Sequence, residues 1–152
     1  MDRFLYIRSD DSKDYFPDNK PFLFKVHLIT PLSFSGFWKV GLIEFHANEM
    51  KSKNRVSLNS STAISVFSNI CKENIVNGEE KPILRRLEKN NRNSWDYILD
   101  SPFYIPLKRQ ELLEFELYIK DDLGNFASFL DSPLHITLHF KQYPFYTDYE
   151  YV

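Results

Sequence analysis

The strongest constraint on this chain is the alternation within residues 112–143, LLEFELYIKDDLGNFASFLDSPLHITLHFKQY. In its first part Leu113, Phe115, Leu117 and Ile119 share one face, and Glu114, Glu116, Tyr118 and Lys120 share the other. In its last part Leu134, Ile136, Leu138 and Phe140 alternate with His135, Thr137, His139 and Lys141. A period of two with one apolar face predicts two half-buried antiparallel strands, packed on a core on one side and wet on the other. Leu and Glu are good helix formers, but the period overrides that propensity here. Between the strands, Asp121–Asn125 carries turn chemistry. Gly124 adopts positive φ without steric cost, and Asp and Asn side chains bond their own backbone.

The remainder reads in the same way. Phe4–Arg8 is a first strand, followed by a polar turn at residues 9–13 and a loop at 14–21 that Tyr15 and Phe16 anchor at the core edge. Phe22, Phe24, Val26 and Leu28 mark a second strand, which Pro31 is expected to end because proline cannot donate to a ladder. Trp38–Phe45 is apolar on both faces, with Trp38, Val40 and Leu42 on one and Ile43 and Phe45 on the other, as in a central, doubly covered strand. Gly41 inside it predicts a bulge or a close backbone approach. Residues 46–61 read as a polar loop with a short strand near Val56, and Thr62–Asn69 as the next strand. Asn77-Gly78 signals a tight turn before a strand at Pro82–Leu87. Trp95–Leu99 and Phe103–Leu107 are two further short apolar stretches. Eight to nine strands with turn punctuation and no helical segment indicate an all-β sandwich or barrel.

A chain of 152 residues is the size of one domain and buries a core without metal or disulfide. One cysteine, Cys71, excludes an intramolecular disulfide. The net charge of −2 argues against a general nucleic-acid coat, which would be basic. No apolar run is long enough for a membrane helix, and the charged start, MDRFLYIRSDD, lacks a signal-peptide core. The expectation is a soluble protein made inside the cell, with no membrane partner.

No catalytic, cofactor-binding or metal-binding constellation emerges. His135 and His139 would suit a metal on a helix, but on a strand they stand about 13 Å apart. Asp10-Asp11 and Asp121-Asp122 read as solvated turn carboxylates without calcium-loop spacing. Cys71 has no nucleophile signature and reads as a buried thiol. Arg85, Arg86, Lys89 and Arg92 form a modest basic run, read as a solvated face. The aromatic content of 16% serves a Phe-rich core, with some rings kept for an interface. The segment that asks for a partner is the end of the chain. Phe145, Tyr146, Tyr149 and Tyr151 are interleaved with Asp148 and Glu150, and an uncovered aromatic end must be buried by something. It either folds over its own sheet edge or lies on a neighbour.

Several stretches resemble a known family. They are Asp14-Tyr15-Phe16-Pro17-Asp18-Asn19, Leu32-Ser33-Phe34-Ser35-Gly36, Trp38-Lys39-Val40-Gly41-Leu42-Ile43-Glu44, Pro82-Ile83-Leu84-Arg85 and Tyr104-Ile105-Pro106-Leu107. Ile119–Asn125 and Leu134–Phe140 complete the set. In order and spacing they resemble the penton-type minor capsid proteins of Polinton/Maverick elements and their adintovirus-like relatives. The resemblance implies a single jelly roll of about eight antiparallel strands in two sheets, spanning residues 1–143, with 144–152 as an aromatic tail. It further implies a homopentamer at the fivefold vertices of an icosahedral capsid, located in the virion. The partner would be a double-jelly-roll major capsid protein. No catalytic residue and no cofactor comes with the resemblance, and no small-molecule substrate or direct nucleic-acid contact is expected. The rival reading is a carbohydrate- or ligand-binding β-sandwich, which an exposed Trp38 or Trp95 beside paired carboxylates would mark.

Overall fold

The computed structural model describes residues 2–50, 61–90 and 94–144. These form β1 (Asp2–Arg8), β2 (Leu23–Ser33), β3 (Phe37–Glu49), β4 (Ala63–Ser68), β5 (Asn74–Val76), β6 (Glu79–Lys81), β7 (Ile83–Glu88), β8 (Trp95–Ile98), β9 (Ile105–Pro106), β10 (Glu111–Asp121) and β11 (Leu130–Tyr143). The first sheet has the order β1-β11-β3-β8, with β9 also paired to β3, and the second has the order β2-β10-β4-β7. Every pairing in both sheets is antiparallel. Apart from the step from β4 to β7, the chain changes sheet at each successive strand of these orders. That is the path of a jelly roll. The short hairpin β5–β6 is an insertion, closed by Asn77 at φ 52° and Gly78 at φ 82°, both left-handed as a two-residue hairpin turn requires.

The two sheets face each other across one apolar core. The first sheet contributes Ile7, Trp38, Val40, Leu42, Phe45, Trp95, Leu134, Ile136, Leu138 and Phe140, and the second Phe24, Val26, Ile64, Val66, Leu84, Leu87, Leu112, Phe115, Leu117 and Ile119. At one end Phe34 stacks on Phe140 (4.8 Å between centroids) and meets Trp38 edge-on, with the Arg3 guanidinium above both rings.

Several readings of the sequence shift. β10 and β11, adjacent in the chain, do not pair: they belong to opposite sheets, and the segment between them crosses the sandwich. Its turn is as expected, with Gly124 at φ 82° and Asp121 Oδ1 accepting from the Leu123 and Asn125 amides. Leu113 is not on the core face. It is exposed, and Leu112 takes its place at full burial. The cause is a register shift in which Leu113 alone on β10 stands opposite Leu28–Pro31 on β2, resetting the alternation. Pro31 does not end β2, which runs on to Ser33. β2 is an edge strand, and Pro31 lies in the part bowed out of the ladder, where no donor is required.

β3 carries a second such shift. Leu42 pairs with Leu138 and Glu44 with Thr137, which leaves Ile43 as the extra residue. Phe45 therefore returns to the same inner face as Trp38, Val40 and Leu42, rather than the opposite one. The Ile43 carbonyl accepts from the Leu99 amide at 2.8 Å. β3 also continues past His46 to Glu49. The short strand read near Val56 lies outside the described residues.

The free edge of β2 is covered. Asn19 accepts from the Lys25 amide and donates to the Lys25 carbonyl, both at 2.9 Å, and Ser12 Oγ accepts from the His27 amide. The loop before β2 thus satisfies edge groups that would otherwise recruit another strand. Tyr15 does not enter the core edge. It stacks on His27 at 3.9 Å on the outside of the sheet, where Phe16 also lies beneath Lys25.

Candidate assembly surface

Phe145, Tyr146, Tyr149 and Tyr151 all lie outside the described residues. What the structure places is the surface from which that segment leaves. Tyr143, at the end of β11, pairs with Phe37, and Lys141 pairs with Lys39 on β3 and with Asp2 on β1. The Lys39 ammonium sits 4.7 Å from the Tyr143 ring centre and 5.7 Å from that of Phe37. Lys141 sits 5.6 Å from the Tyr104 ring and 5.8 Å from the Tyr143 ring.

The outer face of the first sheet continues from this corner. β1 is its edge, and it carries Phe4 and Tyr6 outward at 50% and 73% exposure, with Ile98 at 71% on β8 across the sheet. Phe4 stands opposite His139, and the two rings stack at 4.6 Å. His139 Nδ1 lies 2.7 Å from the Tyr104 hydroxyl, and Nε2 faces Asp2 Oδ1 at 3.4 Å. Tyr104 and His139 thus share one short polar contact on this face. Burial holds the Tyr104 phenol above its ordinary pKa, which keeps it a donor. The outward aromatics of β1 were passed over in the sequence, because alternation shows that two faces differ but not that the polar one of an edge strand will carry rings.

Gly41 makes room for this arrangement. A Cβ there would stand 3.0 Å from Tyr104 Cδ1 and 3.1 Å from the Phe103 carbonyl oxygen. The close approach predicted for this glycine is thus the passage of residues 103–104 over β3. Gly41→Ala is expected to push that segment outward, loosen the Tyr104–His139 contact and destabilise the protein by about 1–3 kcal/mol, an overpacking cost. A urea titration measures it.

The other chemical candidates resolve into structural roles. Arg85 lies 3.9 Å over the Phe103 ring and donates to the Ser101 carbonyl. Arg86 pairs with Glu88 and Asp122. Lys89, far from being a solvated residue, is largely buried against Glu49 because the end of β3 offers it a carboxylate. Arg92 lies outside the described residues. His135 stands opposite His46, which lies 3.1 Å from Asp96 and 3.8 Å from Glu44, and among the described residues no three His, Cys, Asp or Glu side chains group for a metal. Trp38 and Trp95 are both buried, so neither offers the exposed ring expected of a sugar site.

Cys71 is fully buried, and desolvation pushes its thiol up to about 12. The thiolate is the nucleophile, so alkylation at pH 8 is expected to be negligible in the folded protein and to follow unfolding in urea. The sign of the linkage is fixed as well. Above the ordinary value of 9.0 the unfolded chain releases a proton that the folded one retains, so this group's stabilisation declines from about pH 9 toward 12.

No protein-family model and no curated protein matches the chain. Among solved structures, the mavirus penton protein matches with a TM-score of 0.63 over 94% of this chain and 100% of that one, at 7% identity. At that identity the match speaks to architecture: the chain has the jelly-roll fold of a penton protein.

Proposed function

We propose that this chain is a penton-type minor capsid protein. It acts as a structural subunit with no catalytic role, and five copies close a ring at an icosahedral vertex. The observation that carries the reading is the fold match, which runs the full length of a penton protein and nearly the full length of this chain. The penton-type motifs in the sequence support it independently of that superposition. Residues 1–143 would form the jelly-roll domain and 144–152 a tail whose Phe145, Tyr146, Tyr149 and Tyr151 contact another subunit or the shell. The partner outside the ring would be a double-jelly-roll major capsid protein, and the mature location the virion.

A closed ring requires a heterologous contact, in which two different surfaces of one subunit meet their complements on its neighbours. The outward Phe4 and Tyr6 on edge strand β1 are suited to such a contact, since aromatic side chains are enriched at interfaces. Negative-stain electron microscopy of the purified protein tests the reading. Class averages with fivefold symmetry are expected. Averages dominated by twofold particles would overturn it.

A further inference from the structure

At the corner of the first sheet where the chain departs, two lysines stand directly opposite each other. Lys141 and Lys39 are register partners, and among the described residues no carboxylate forms an ion pair with either. Asp2, the residue across from Lys141 on β1, turns its carboxylate to His139 instead. Like charges opposed across strands are destabilising. The Tyr143, Phe37 and Tyr104 rings offset this only in part, through cation–π contacts. The corner is therefore a cationic, aromatic patch without a counter-charge.

We infer that this patch seats residues 145–152 of a second copy of the chain. That segment, FYTDYEYV, carries Asp148 and Glu150 among four aromatic residues, so it supplies both the missing negative charge and rings to pack on the three already there. A closed ring needs a contact between two copies, which the segment folded on its own patch would not supply. Segment and patch are different surfaces, so the contact is head-to-tail and repeats around a ring. The inference rests on the penton reading and assigns that ring one of its contacts.

The test uses the full chain and its mass by light scattering. Lys39→Glu with Lys141→Glu, and separately Asp148→Lys with Glu150→Lys, are each expected to reduce the ring to single chains. All four changes together are expected to restore it, because the reversed charges match again. Near-UV circular dichroism checks that each variant keeps the fold, since the two lysines lie outside the core. Five-chain masses in every variant would overturn the inference and leave the pentamer standing, as would failure of the fourfold variant to recover. A single-chain mass in the unaltered protein would overturn the pentamer instead. In that case a fluorescent peptide of residues 144–152 decides the patch by anisotropy. Binding weakened about tenfold by the two lysine changes upholds the seat; equal binding, or none, removes it.

Discussion

Lys89→Ala is expected to cost about 3–5 kcal/mol of folding stability, the loss that follows when one partner of a buried ion pair is removed. The Lys89 ammonium lies 2.7 Å from Glu49 Oε1, with only 11% and 7% of the two side chains exposed. Trp95 Nε1 donates to the same oxygen at 2.8 Å, and the lysine sits 5.5 Å over the Trp95 ring. Glu49 closes β3 and Trp95 opens β8 in one sheet, whereas Lys89 directly follows β7 in the other. The cluster therefore ties the two layers at one end of the sandwich. Without Lys89 the Glu49 carboxylate loses the ammonium at 2.7 Å in a nearly dry site, and the lost aliphatic stem also uncovers the indole. A domain of this size has about 5–15 kcal/mol in total, so the urea midpoint should fall by about 2 M. The double variant Glu49→Gln with Lys89→Met should lose less than Lys89→Ala. It removes both charges together, and Gln still accepts from Trp95. A double variant less stable than the single one would contradict this account of the cluster.

A second large effect separates two neighbouring leucines. Leu112→Ala is expected to cost about 2–5 kcal/mol and Leu113→Ala to fall within about 0.5 kcal/mol of the parent. Leu112 is completely buried, while Leu113 is 42% exposed. The contrast depends on the register shift between β10 and β2, since an unbroken strand would carry Leu113 inward with Phe115. Comparing the two urea midpoints checks it. Equal losses, or the larger loss at Leu113, would mean that the alternation runs straight through.

These two cases show where the sequence was legible. Leu134, Ile136, Leu138 and Phe140 are all buried, as their alternation required, because β11 keeps an unbroken register with β1 from His135 to Lys141. Phe115, Leu117 and Ile119 follow for the same reason on β10. The misplaced residues, Leu113 and Phe45, both lie next to or beyond an extra residue in the ladder. Leu113 and Ile43 look like ordinary strand residues, and a bulge depends on the partner strand, which the local sequence does not contain. The crossing of residues 121–130 between sheets was hidden for a related reason, since turn chemistry says that the chain reverses but not onto which layer.

The surface was harder to read than the core. Lys89 belongs to a basic run by sequence, yet its partner Glu49 comes from another strand. The Lys39–Lys141 opposition likewise exists only once β3 and β11 are side by side. Gly41 was the exception, because a glycine within an apolar strand already points to something passing close over it.

The measurement that tests the central claim most directly is the mass of the unaltered protein in solution by multi-angle light scattering across a range of concentrations. The account predicts about 90 kDa, five times the 18.1 kDa chain. A species of one or two chains at every concentration would contradict it.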